Sequence, residues 1–175
     1  MHTTSTFRTM PRDSYQEGLN SLREDVLYMS EIVLERLRLG LDALEQKDEA
    51  MAQEVIEGDH EINQLYLDLE QDCIDLLALQ QPVASDLRFI AASFKIITDL
   101  ERIGDLATNL GEYSLEADRD VYPEVDIQDV ADVTIEMVEN AMDAYGSEDA
   151  DQCYTIADID DEVDERCEAA SEMVV

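Results

Sequence analysis

Glu101 and Asp105 are the residues of this 175-residue chain whose type and spacing suggest chemistry. They continue an apolar stripe, Leu87, Ile90, Phe94 and Ile97, that advances in steps of three and four residues, and Thr108 follows them. The pattern calls for packing residues at those places. A carboxylate on a packing seam must be neutralised, paired or metal-bound, because burying it alone is costly. The i,i+4 spacing sets both side chains on one helix face, about one turn apart. Two hard oxygen donors so placed suit one divalent cation or two neighbouring ones. The alternative is a seam that drifts to the surface and leaves both carboxylates solvated. The same spacing recurs at Asp68 with Asp72 and at Asp160 with Asp164, the latter in an acidic run that reads as a solvated face.

Asp59 and Asn63 share a helix face at i,i+4. They would either face Glu101 and Asp105 across the bundle, adding a third oxygen ligand, or form a hydrogen-bonded pair on the helix surface. Arg102 belongs to a narrow polar arc with Arg88, Lys95 and Asp99, and reads most simply as a surface ion pair with Asp99. Asp86 lies in the first turn of its helix, where a carboxylate favours the helix dipole.

The elements that position these residues are long helices. Pro82 stops one helix near Leu79, and the next begins at about Val83 and runs to Arg119. A second stripe, Phe89, Ser93, Ile96, Leu100, Ile103, Ala107 and Leu110, gives that helix neighbours on two sides. Upstream, one helix runs from Ser14 to about Gln46 through Leu19, Leu22, Val26, Met29 and Val33. Another covers Glu49 to Leu79 through Met51, Val55, Ile62, Leu65, Leu69, Ile74 and Leu77. Long helices with short joins pack as an antiparallel three-helix bundle over 14–122, behind a flexible lead-in at 1–13.

Residues 123–175 repeat the beginning at a shift of 101: Asp48 falls on Asp149, and Val55, Asp59, Glu61 and Ile62 fall on Ile156, Asp160, Glu162 and Val163. The fold class is therefore all-α, with a second bundle represented by its first two helices. Those are expected at Asp126–Tyr145 and from Glu148 onward, with Gly146–Ser147 as the turn. The second copies of Glu101 and Asp105 would fall beyond Val175. The face left uncovered is expected on the first bundle or on a second molecule, which makes a homodimer the expected assembly.

Net charge is −33, from 44 acidic and 11 basic residues, and Lys47 and Lys95 are the lysines. The acids are spread along apolar-periodic helices, so the chain folds. Such a surface suits a protein working in molar salt, which screens its self-repulsion, and a halophilic source is expected. The charge excludes direct binding of nucleic acid or anionic lipid. No secretory leader and no apolar run of about 20 residues is present, so the cytoplasm is expected, without membrane insertion. Cys73, Cys153 and Cys167 show no metal-binding spacing and read as small buried residues. No phosphate-cradling loop or nucleophile–base set appears, so no enzyme is expected. Glu57 and His60 make a single Glu-x-x-His. It leaves a metal-storage or di-metal redox bundle as the alternative.

Three blocks carry a resemblance: VIEGDHEIN at Val55–Asn63, QQPVASDLR from Gln80, and DLERIGDLATN at Asp99–Asn109. In order and spacing they resemble the PhoU family of phosphate-signalling regulators. The resemblance implies tandem three-helix bundles whose E/D-x-x-x-D motifs hold multinuclear iron or zinc clusters in some members. It assigns Glu101 and Asp105 to such a motif and gives Arg102 a partner contact. It also implies a non-catalytic negative regulator of phosphate uptake, acting on the ATPase of the phosphate ABC transporter and on a sensor histidine kinase.

Overall fold

The structure, a computed structural model, describes residues 12–79, 83–116 and 127–174. Five helices make up those residues: α1 (Arg12–Gln46), α2 (Glu49–Leu79), α3 (Ala84–Glu116), α4 (Ile127–Ser147) and α5 (Ala150–Val174). The first is already helical at Arg12 and Asp13, inside the expected lead-in. The remaining lead-in, the expected end of α3 and the boundary at 122/123 lie outside the described residues.

The first three helices form a three-helix bundle, each packed on the other two. Its core is a 3–4 seam from each: Leu19, Leu22, Val26, Met29 and Val33 on α1; Val55, Ile62, Leu69 and Cys73 on α2; Ile90, Ile97 and Leu100 on α3. Large side chains fill one end. Towards the other, α3 offers Gly104, Ala107, Gly111 and Ser114 to the interior. There the backbones come close. A β-carbon on Gly111 would lie 3.0 Å from the Ala52 carbonyl oxygen, and one on Gly40 would lie 3.0 Å from that of Ala107. The Ser114 hydroxyl donates to the Ala43 carbonyl at 2.8 Å. Ile74 and Leu77, read as core, are exposed; Cys73 and Leu76 take their places.

The internal repeat is visible in the turns. Lys47 and Glu148, 101 residues apart, both adopt the left-handed conformation, with φ of 53° and 56°. The amides of Ala50 and Met51 donate to Asp48 Oδ1 at 2.9 and 3.1 Å. Those of Asp151 and Gln152 donate to Asp149 Oδ1 at 3.0 and 3.1 Å. Both aspartates are N-caps. The expected turn at Gly146–Ser147 is corrected: both residues remain helical, and the Ser147 hydroxyl donates back to the Asp143 carbonyl at 2.7 Å.

Helix α4 lies antiparallel on α1, while α5 touches α4 alone among the described helices. The α1–α4 contact joins equivalent positions of the repeat. Leu34 and Ile135 share one apolar cluster, and Arg38 pairs with Glu139. Part of the face expected to need a partner is thus covered by the first bundle. None of the described residues of α5 is buried, so Cys153 and Cys167 are exposed, contrary to the sequence reading; Cys73 is buried as expected.

Candidate functional site

The buried seam of α3 runs between the two stripes seen in the sequence. It takes Ile90 and Ile97 from one, Ser93, Leu100 and Ala107 from the other, and then the glycines. Small residues carry little hydropathy signal, so the glycine half of the seam was hidden. In consequence Glu101 is half-buried at the flank of the seam, Asp105 is exposed, and Leu87 is exposed. The placement of both carboxylates on the seam itself is therefore corrected.

The close approach of α2 and α3 nevertheless assembles a polar cluster there. Asn63 Nδ2 donates to Asp59 Oδ2 at 2.8 Å. The Thr108 hydroxyl lies 3.3 Å from Asp59 Oδ1 and 3.2 Å from the Gly104 carbonyl, sharing its one proton between them. Asp59 and Asn63 form the expected hydrogen-bonded pair on α2, and Asp59 also reaches α3 through Thr108. Thr108 is the bridging residue that sequence reasoning left without a role, although it closed the stripe carrying Glu101 and Asp105.

Burial raises the Glu101 carboxyl above its ordinary range, and the charges of Asp105 and Asp59 raise it further. Three carboxylates thus repel one another at one bundle edge. Their donor type, all oxygen, fits a hard divalent cation. As the side chains stand, no three His, Cys, Asp or Glu groups among the described residues converge on a metal-binding point. His60 is exposed, with Nδ1 2.6 Å from the Glu57 carbonyl rather than on a carboxylate. Arg102 is exposed, and the expected pair with Asp99 is not among the ion pairs formed by the described residues.

A second polar cluster ties α4 to the first bundle. Tyr145 stacks on Phe89 with ring centroids 5.6 Å apart, and its hydroxyl meets the Ser93 hydroxyl at 2.8 Å. Arg23 also lies over the Phe89 ring, 4.9 Å from its centroid, and pairs with Glu148. Burial pushes the Tyr145 phenol up to about 12. Ser93 on an otherwise apolar stripe was the one sequence sign of this contact.

The PhoU domain pattern matches residues 26–114, which include Asp59, Asn63, Glu101 and Asp105. The chain is 36% identical over 149 residues to a phosphate-specific transport system accessory protein PhoU homolog of Aquifex aeolicus. That match covers 84% of the chain and 67% of the relative. With the Escherichia coli accessory protein PhoU it shares 32% identity over 156 residues, covering 88% of the chain and 65% of the relative. The chain thus spans about two thirds of the length of these relatives. The crystal structure of the phosphate transport system regulatory protein PhoU from Streptococcus pneumoniae superposes with a TM-score of 0.85 at 30% identity. It covers 91% of this chain and 76% of that one.

Proposed function

The chain belongs to the PhoU family, and from that premise we propose that it is a non-catalytic accessory regulator of phosphate transport that works by protein contact. The observation that carries this is the family match across most of the three-helix bundle, joined to a fold like that of solved PhoU proteins. The partners that suit this role are the ATPase of a phosphate ABC transporter and a sensor histidine kinase, with Arg102 as one contact. None of the described helices is long and apolar enough to cross a membrane, which suits an accessory protein at the cytoplasmic face. A homodimer and a salt-rich cell complete the proposal.

Glu101 and Asp105, with Asp59 and Asn63, would hold a divalent cation, iron or zinc in a multinuclear cluster. The support is the mutual repulsion of their carboxylates. A bound cation would neutralise that repulsion and fasten α2 to α3. Elemental analysis of the native protein beside a Glu101→Ala/Asp105→Ala variant tests this; equal metal in both would sink the assignment. Oxygen consumption by iron-loaded protein would favour a redox bundle instead. The regulatory reading is tested by phosphate uptake in cells lacking their own accessory protein. Expression of the chain should lower uptake when phosphate is plentiful, and unchanged uptake with no recovery of the transporter ATPase in pull-downs would overturn it.

A further inference from the structure

Arg88, Lys95 and Arg102 stand seven residues apart on α3. Two such intervals of nearly two turns each keep them on one face, a line of about 21 Å. All three are exposed, and none has an ion-pair partner among the described residues. That is unusual in a chain of 44 acidic and 11 basic residues. Elsewhere Arg23, Arg36, Arg38 and Arg166 each bind a carboxylate on another element: Glu148 in the α4–α5 turn, and Glu61, Glu139 and Asp129 on neighbouring helices. In addition, Leu87–Thr98 contains no acidic residue.

The line runs opposite the buried seam; α3 packs on α1 and α2 and meets Tyr145 of α4 through Phe89 and Ser93, away from this line, so no other described helix covers its outer face. Ala91 and Thr98, small and exposed, stand between the cations, and the exposed Asp99 shares their arc between Lys95 and Arg102, with no ion pair to either among the described residues. Leu106 and Tyr113, 53% and 58% exposed, continue the face towards the end of the helix. A row of cations with small residues between them and an apolar continuation has the form of a helix-docking surface.

We propose that this face docks an acidic amphipathic α-helix of another protein, one whose carboxylates recur every seven residues against Arg88, Lys95 and Arg102 and whose apolar side chains reach Leu106 and Tyr113. The biological role of that contact rests on the regulatory reading above; the surface itself does not. Charge complementarity selects the occupant. A nucleic acid or an anionic bilayer extends its charge far beyond this face and would meet the rest of a molecule of net charge −33, whereas a single helix need present only the few carboxylates that face the row. A second copy brings the same net charge.

The test uses the full chain and a fluorescein-labelled helical peptide with Glu at every seventh position and Leu beside it. A counterpart peptide carries Lys for Glu. Fluorescence anisotropy should show the acidic peptide binding at least about tenfold more tightly than the basic one. Arg88→Gln/Lys95→Gln/Arg102→Gln should weaken it about tenfold, and the triple Glu variant further, with circular dichroism unchanged. Absence of binding, or equal binding by the wild type and both variants, overturns the proposal. So does self-association in sedimentation that the triple variants abolish, which gives the face to a second copy, or preferential binding to phosphatidylglycerol vesicles. Peptide binding is read independently of phosphate uptake, so a failure here is distinct from a failure of the regulatory reading.

Discussion

Gly104→Ala is expected to strain the α2–α3 contact beside the carboxylate cluster. A β-carbon there would stand 2.9 Å from Ile62 Cδ1 and 3.0 Å from Ile62 Cγ2. Ile62 is 2% exposed, and a β-branched side chain in a helix has one strongly preferred rotamer, so it cannot swing away freely. Two effects oppose each other. Alanine gains about 0.8–1.0 kcal/mol of helix propensity over glycine. Overpacking a well-filled core costs about 1–3 kcal/mol. The net loss is therefore roughly 0–2 kcal/mol, and a double-mutant cycle separates the two effects. Ile62→Val deletes the nearer methyl and alone costs about 0.5–1.5 kcal/mol. In the Gly104→Ala background it should cost at least about 0.5 kcal/mol less, because it relieves the overlap. Urea unfolding followed by circular dichroism at fixed KCl gives all four stabilities. Additivity to within about 0.3 kcal/mol, or a gain of the full propensity difference in Gly104→Ala, would refute the close-approach argument. The overlap also has a local consequence. Helices forced apart at Gly104 would lengthen the Thr108–Asp59 bond and weaken the repulsion that Asp59 exerts on Glu101.

Glu101→Gln should raise the melting temperature of the metal-free protein at neutral pH. The folded-state pKa is raised, chiefly by burial and then by Asp105 and Asp59. Stability from the protonated form is thus complete below the unfolded value near 4.3 and is lost as pH rises through the folded value. A variant that melts lower at every pH would contradict this, and added divalent metal should reverse the ranking if Glu101 is a ligand. Cys73, fully buried, has its thiol pushed up to about 11 by burial, then by Asp72 and Glu70. Its contribution is complete below the ordinary thiol value of 9.0 and is lost as pH climbs towards the folded one, on the order of 3 kcal/mol in all. Alkaline melting curves should be flatter for Cys73→Ala, and equal slopes would sink the reasoning. With a net charge of −33, stability should climb from dilute buffer to molar KCl as self-repulsion is screened. Melting temperatures that stay flat or fall with salt would count against it.

Much of this molecule was legible in the chain because periodicity and capping are local. Glu49–Leu79 emerged with both ends in place, since Asp48 caps its start and Pro82 bars its extension. The duplication was legible too, with Asp48 falling on Asp149, although the second turn was expected at Gly146–Ser147 and lies at the Asp149 cap instead. What local pattern could not supply was which of two adjacent stripes α3 would bury. Hydropathy favours large side chains, and half of that seam is Gly104, Ala107, Gly111 and Ser114, chosen by the distance to α1 and α2.

The sequence by itself determined the helices, their order, the repeat and the residue types at the candidate site. It did so because each is encoded over one or two turns of chain. Tertiary packing alone decided that Asp105 stands exposed while Glu101 is half-buried, that Asp59 reaches Thr108, and that Arg88, Lys95 and Arg102 find no ion-pair partner among the described residues. Those outcomes depend on how near two backbones come and which faces they cover. That distance is set by side chains far apart in the sequence.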